Sequence, residues 1–224
     1  MRLSRIAVFL PMFLPVACGT ADFAPVYRIA AIEAKAADSD TGQPIEGANV
    51  VAVYETSRAG FSGRLRGTVL EVMETATDAQ GRFAFPAVTL VNSSVSESLQ
   101  SSDPAVLIFK PRYVPREFRG NRDPRYGING QSVKMTRYSE EQLANPKTSF
   151  YRGADSFLDS VIQSCKWDRI PKTILAMTAE EERVRAANPG ALVSLPTVTV
   201  LQGWSEGPRP ICRSAAEFFR SYSE

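Results

Sequence analysis

Between residues 28 and 137 the apolar positions fall in short runs or alternate with polar ones, separated by turn residues, whereas after 138 they recur at helical spacing. Tyr27 to Ala37 is a first strand candidate, with Ile29, Ala31 and Glu33 on one face. Asp38 to Pro44 (D-S-D-T-G-Q-P) is a turn cluster, because Asp side chains bond nearby backbone N–H groups and Gly42 can take a positive φ. Ala48 to Glu55 reads as a strand buried on both faces, from Val50, Val51, Val53 and Tyr54. Residues 56–67 read as a polar, Gly-bearing loop, and Val69 to Thr77 as the next strand. Asp78-Ala79-Gln80-Gly81 suits a tight hairpin, from which Arg82 to Phe85 returns with Phe83 and Phe85 on one face and Pro86 ending the ladder. A Ser-rich loop follows from Val91 to Asp103, then a short buried strand from Ala105 to Phe109 and a last one from Gln131 to Tyr138. Strands at these intervals predict an antiparallel Ig-like β-sandwich over 28–137 rather than a βαβ sheet.

From 138 to 224 the pattern predicts a small α-helical region, so the fold class is α+β. Ser139 with Gln142 forms a capping box. Phe157, Leu158, Val161, Ile162 and Cys165 share a helix face, with Asp155 or Ser156 as the cap. Pro171 fits the first turn of another helix, carrying Ile174, Leu175 and Met177. Thr178 with Glu181 offers a second capping box that would interrupt it, and Asn188-Pro189-Gly190 is a break. Ser214 to Glu217 caps a terminal helix with Phe218, Phe219 and Tyr222.

Composition changes the picture in two places. The chain of 224 residues holds no histidine, which excludes Ser-His-Asp and Cys-His catalysis and His-bearing zinc centres, leaving carboxylate pairs, Ser-Lys dyads and tyrosine acids as the enzymatic chemistry open to it. The net charge of +2 comes from Arg2 and Arg5; without them 24 basic and 24 acidic groups balance, so nucleic acid is not an expected partner.

Those two arginines precede an apolar run from Ile6 to Ala17 that is too short to span a bilayer, so residues 1–17 read as a secretory signal. The residues L-P-V-A-C, Leu14 to Cys18, resemble the lipobox of bacterial lipoproteins, with Pro15 where that family usually has Leu. The resemblance implies a lipid on Cys18, a tether over 18–27, and a site on the periplasmic face of the envelope, with Gly19 favouring the outer membrane. The alternative is cleavage to a soluble periplasmic protein. With Cys18 lipidated, Cys165 and Cys212 remain in an oxidising compartment, where they pair or stay as two buried thiols. A bridge would stabilise the fold by roughly 4 kcal/mol in the chain-entropy model.

D-x-D-T-G-Q-P-I-x-G-A-x-V (Asp38 to Val50) and T-x-T-D-x-x-G-x-F-x-F (Thr75 to Phe85) resemble the carboxypeptidase regulatory-like domain, a transthyretin-like sandwich. That family commonly has a Gly-Tyr pair after the later strand, where Arg112-Tyr113 stands here. The resemblance implies a non-catalytic module without cofactor or metal.

Candidate sites are few. Asp38-x-Asp40-x-Gly42 begins like a calcium loop, but Gly42 and Asn49 stand where two further oxygen ligands belong, so it reads as a turn. Gly60-Phe61-Ser62-Gly63-Arg64 misses the last Gly of a nucleophile elbow. The segment Lys110, Arg112, Arg116, Arg119, Arg122 and Arg125, with Tyr113, Phe118 and Tyr126 interleaved, carries forks and rings suited to phosphate, carboxylate or sugar. It also reads as a solvated loop with its stems on the sheet. The expectation is a non-enzymatic envelope lipoprotein that binds an envelope protein or anionic glycan, against a histidine-independent hydrolase or an accessory subunit of an envelope enzyme.

Overall fold

The computed structural model describes residues 24–61, 63–119, 127–145, 149–151, 153–205 and 212–222. The signal segment 1–17, Cys18 and the tether up to 23 lie outside the described residues, as do Arg122, Arg125 and Tyr126. The described chain is rich in antiparallel sheet, and its helices are C-terminal.

Strands β1 (Val26–Ile29), β2 (Ile32–Asp38), β3 (Asn49–Gly60), β4 (Gly63–Ala76), β5 (Arg82–Phe85) and β6 (Val88–Val91) come first. They are followed by β7 (Ser98–Leu99), β8 (Ala105–Phe109), β9 (Arg116–Phe118) and β10 (Ser132–Met135). Then come α1 (Glu140–Ala144), β11 (Ser149–Phe150), α2 (Ala154–Gln163), α3 (Pro171–Ala187), β12 (Leu192–Val193), α4 (Val198–Ser205) and α5 (Ala215–Arg220). One sheet runs β4-β3-β8-β9, with β7 also on β3, and is antiparallel throughout. A second runs β10-β2-β5, and its β10–β2 pair is parallel, a departure from the expected all-antiparallel pairing.

Strands β3 and β8 carry apolar residues on both faces, and the two faces serve different layers. Val50, Ala52, Val106 and Ile108 join Ile32, Ala34, Ala36, Phe83, Phe85, Val133 and Met135 of the three-stranded sheet. Val51, Val53, Leu107 and Phe109 join Phe157, Leu158, Val161, Trp167, Ile174 and Met177 of the helical region. An unbroken β-branched run suits a strand covered on both sides, because neither face needs polar residues for water. A third, smaller cluster of Ile29, Tyr54 and Leu90 fastens the β1–β6 pair to the base of β3.

Several expectations are corrected. The first strand is two, and Ile32, Ala34 and Ala36 point inward while Glu33 is exposed, because β2 takes its register from Phe83 and Phe85 across the ladder. The expected loop 56–67 is the end of a long β3–β4 hairpin closed at Gly60 and Gly63, with its register shifted near Tyr54 and Glu55. The Asp78–Gly81 turn does not return β5 onto β4: β4 pairs β3 and β5 pairs β2, so the turn carries the chain between sheets. Gly81 is needed there, at φ +70, because a Cβ would stand 2.3 Å from the Ala36 carbonyl.

Among the helices, the Ser139–Gln142 capping box forms with both of its hydrogen bonds. Gly153, not Asp155 or Ser156, precedes α2, and it makes no side-chain cap. Cys165 lies past the end of α2 at φ 60. Pro171 opens α3 as expected, while Glu74 of β4 reaches across to accept the N–H groups of Lys172 (3.2 Å) and Thr173 (2.6 Å), supplying the cap Ile170 lacks. Helix α3 runs through Thr178 uninterrupted: the Thr178 hydroxyl donates to the Ile174 carbonyl at 2.8 Å and accepts from the Val198 N–H at 3.0 Å, so it serves two helices instead of starting one. Ser214 caps α5 by accepting from the Glu217 N–H. Cys165 and Cys212 are joined in a disulfide, which ties the end of α2 to the start of α5.

Candidate functional site

The turn at Asp38 has a structural task. Its Oδ1 accepts the N–H groups of Asp40 (3.0 Å) and Thr41 (2.9 Å), and its Oδ2 accepts the Tyr113 hydroxyl at 2.8 Å. Hydrogen bonds from Thr41 and Tyr113 hold the Asp38 carboxyl down at about 2. Tyr113 in turn accepts from Arg137 at 2.8 Å. Gly60 and Gly63 close the β3–β4 hairpin, so the elbow-like sequence is a hairpin tip, and Ser62 lies outside the described residues.

The described residues of the basic segment do not make one surface. Lys110 donates through Nζ to the carbonyls of Glu46 (2.7 Å) and Gly47 (3.3 Å). Arg112 turns the chain at φ 68, and its backbone N–H donates to Glu180 at 3.0 Å. Tyr113 is buried under Arg137, whose guanidinium lies 5.0 Å from the ring centroid. Arg116 is exposed on β9. Arg119 lines one cleft, of about 720 Å³, and Lys110 and Tyr113 line a different one, of about 470 Å³, beside the Asp38 turn.

Glu180 anchors the segment from below. It is 2 % exposed and accepts from the Tyr151 hydroxyl, from the Arg112 N–H (3.0 Å) and from both arms of Arg183 (2.6 Å each). Burial alone would push its carboxyl up, but the bonds from Arg183 and Tyr151 hold it below the ordinary range. Burial, reinforced by the neighbouring Glu180 carboxylate, pushes the Tyr151 hydroxyl up. With Tyr151 fully buried as well, no ligand reaches this node, and its role is to brace α3 against the Lys110–Tyr113 turn.

The cleft beside Arg119 has a volume of about 720 Å³ and is lined by residues of the five-stranded sheet and of the helical region. Arg66 and Arg119 form its sheet side; Asp155, Asp159, Arg185 and Trp204 contribute from the helices. A small pocket of about 40 Å³ shares Arg66 and Arg119 with it and has Glu55 and Asp103 at its wall. Burial raises the Asp103 carboxyl. Most charges here are already engaged. Arg185 holds Glu181 at 2.7 Å, Ser194 donates to Asp155 at 2.6 Å, Gln163 donates to Asp159 at 2.9 Å, and Ser160 donates to Glu55. Arg66 and Arg119 are held more loosely, at 3.9 Å from Glu55 and 3.3 Å from Glu117, with about half of each side chain exposed. Trp204 is 50 % exposed at the rim, next to the exposed Val200. Two forked cations at a cleft with an aromatic rim suit a ligand that presents an anionic group and a flat apolar face.

Of this cleft the basic segment supplied Arg119 only. Arg66 stood in a stretch read as loop, Asp103 closed another, and Trp204 sits on α4, whose Val-Thr-Val start has no helical signal. Trp204, one of two tryptophans in the chain, was a sequence signal that could have pointed there.

No known family's sequence pattern matches the chain, and no curated protein matches it. Among solved structures it is similar to a streptococcal ancillary pilin, at 13% identity and a TM-score of 0.28, over 52% of this chain and 31% of the pilin. It is also similar to a 9R-lipoxygenase from Cyanothece PCC8801, at 12% identity and a TM-score of 0.26, over 78% of this chain and 26% of that one. The chain thus spans about a third or less of either structure, and likenesses this weak carry no functional argument.

Proposed function

We propose that the chain is a non-enzymatic binding module of the bacterial cell envelope, lipid-anchored at Cys18, facing the periplasm from the outer membrane, and capturing an anionic ligand in the Arg66–Arg119 cleft. On this reading the five-stranded and three-stranded sheets are the layers of a transthyretin-like β-sandwich of the carboxypeptidase regulatory-like kind over 28–137. The alternation of Val50 to Val53 and Val106 to Phe109 between a cluster shared with the three-stranded sheet and one shared with the helices supports it. The helical region 138–224 then forms the far wall of the cleft. The absence of histidine from the sequence favours binding over hydrolysis, and the Cys165–Cys212 disulfide suits an exported protein. The observation that carries the ligand class is the pair of loosely held guanidiniums at one cleft while the neighbouring charges are closely paired.

The test is retention on immobilised acidic and neutral oligosaccharides, for the wild type and for a variant with Arg66→Ala and Arg119→Ala. Selective retention on acidic glycans that the double variant loses supports the assignment. No retention, or equal retention by the variant, refutes it. Metabolic fatty-acid labelling with a Cys18→Ala control tests the anchor separately.

A further inference from the structure

The β3–β4 hairpin runs past the rest of its sheet and ends in an apolar tip. Phe61, between the paired glycines 60 and 63, is wholly exposed; Leu65 is 44 % exposed and Val95, in the loop packed beside the hairpin, 79 %. A phenylalanine at a hairpin end has no fold to support, and a two-residue connection ordinarily carries polar residues. Arginines flank it on both faces. Arg58 pairs across the ladder with Leu65, and Arg64 with Ala59, so alternation puts the two guanidiniums on opposite sides of the ribbon, both exposed. The nearby carboxylate, Glu97, is drawn inward: it accepts the Thr56 hydroxyl and the Thr68 N–H (3.0 Å) at the hairpin base. Gly67 makes room for it, since a Cβ there would meet Glu97 at 2.7 Å.

The first described residues lie at the same end of the molecule. The Pro25 carbonyl accepts the Asn92 N–H at 2.9 Å, the Tyr27 hydroxyl accepts the Leu99 N–H at 3.3 Å, and Leu99 pairs with Thr56 at the foot of the hairpin. Seven Cα-to-Cα steps lead from Cys18 to Pro25, a reach of at most about 25 Å. The hairpin from Thr56 to Gly60 projects roughly 15 Å by strand rise. An anchor at Cys18 and the tip at Phe61 can therefore meet one plane.

We propose that the Gly60–Gly63 hairpin tip is a second membrane contact, in which Phe61 and Leu65 enter the interfacial layer of a bilayer and Arg58 and Arg64 bind its anionic phospholipid headgroups. Its geometry rests on the reading of Cys18 as the anchor, whereas the contact itself needs no acyl chain. Basic side chains around an exposed aromatic are complementary to an acidic lipid surface, where rings settle at headgroup depth and each cation adds attraction. The chain as a whole is balanced in charge, so the attraction is local to this tip.

The test uses the full chain carrying Cys18→Ala, so that no acyl chain contributes, with Phe61→Trp as reporter. Vesicles are phosphatidylcholine alone or phosphatidylcholine with one-quarter phosphatidylglycerol, with brominated acyl chains as quenchers. The expected result is a blue shift and bromine quenching of the added tryptophan on anionic vesicles, measured as the difference from the parent that keeps Phe61. Arg58→Gln with Arg64→Gln should weaken anionic partitioning about tenfold or more and leave neutral vesicles unaffected. In a parallel co-sedimentation series, Phe61→Ser should weaken it about tenfold. Absence of any shift or quenching overturns the proposal, as does a shift that depends on protein concentration and not on lipid, which would assign the tip to a second copy of the chain. A lipid-labelling failure at Cys18 with quenching intact would remove the anchor and leave the tip contact standing.

Discussion

Replacing Glu180 with alanine should be among the most damaging single changes outside the apolar clusters, and the structure lets the cost be worked out. The carboxylate serves three donors: the Tyr151 hydroxyl, the Arg112 N–H and the Arg183 fork. Arg183 keeps 37 % of its side chain in water and can be rehydrated, so it contributes little to the loss. Without Glu180 the Tyr151 hydroxyl loses its acceptor, while the Arg112 N–H keeps the longer bond it makes to that hydroxyl at 3.2 Å; an enclosed polar group left unsatisfied costs about 1–3 kcal/mol. Breaking one side of a fully buried ion pair costs more, about 3–5 kcal/mol, which is an upper bound here because Arg183 reaches water. We therefore expect about 3 kcal/mol for Glu180→Ala, lowering Tm by roughly 6–12 °C for a chain of this size. Glu180→Gln separates the contributions. Its amide oxygen can still accept from Tyr151 and Arg112, while its NH2 faces Arg183, so the loss should be about 1–2 kcal/mol. Urea denaturation with the disulfide intact measures both, with unchanged m required before the midpoints are compared. A loss below about 1 kcal/mol for Glu180→Ala, or equal losses for Ala and Gln, would refute the view that this carboxylate braces the Arg112 turn, whose backbone sits in a left-handed conformation at φ 68.

Other outcomes follow from the same reasoning. Reducing Cys165–Cys212, which closes a separation of 47 residues, should cost about 4 kcal/mol, read from denaturation with and without reductant. Asp38 titrates at about 2 in the fold against 3.8 ordinarily, so its stabilising contribution is complete above about pH 4 and is lost as pH falls toward 2; Asp38→Asn should flatten the acid limb of a stability–pH curve over that window. Gly81→Ala should destabilise by roughly 2 kcal/mol or more, since it combines a positive φ with a 2.3 Å approach to the Ala36 carbonyl, and a thermal melt checks it. A chain ending at 137 should fail to give a cooperative melt, because Val51, Val53, Leu107 and Phe109 would lose the helical side of their cluster.

Much of the strand layout was legible because local chemistry and packing agree there. The doubly apolar run at Val50 to Tyr54, the paired Phe83 and Phe85, and the A-V-L-I-F strand are each buried as their spacing predicts. What failed was partnership. Asp78 to Gly81 has the residues of a hairpin turn, and the turn forms, with the Gly81 N–H donating to the Asp78 carbonyl at 2.8 Å. Turn chemistry fixes how the chain reverses but not which ladder receives it, and here β2 offers Ile32 and Ala34 to the two phenylalanines. The helix caps divide in the same way. Ser139 and Ser214 cap with their own side chains and were readable, whereas α3 is capped by Glu74 from nearly a hundred residues away. A long-range cap leaves no local trace.

The cleft was illegible for a related reason. Sequence reasoning grouped cations by proximity along the chain, from Lys110 to Arg125, yet strand alternation and a tight turn send neighbouring side chains to different faces. Lys110 goes to the backbone of the Glu46–Gly47 turn, Tyr113 to Asp38, and Arg119 to the far side, where Arg66 arrives from β4. The grouping that matters is by sheet face and by degree of pairing. A guanidinium already tied to a carboxylate at 2.7 Å, as in Arg185 with Glu181, has spent its fork, whereas one standing 3.9 Å from its nearest acid retains it for a ligand. Net charge along a segment carries little information about that distinction: Arg66 meets Glu55 from the neighbouring strand β3, whereas Arg119 meets Glu117 two residues before it.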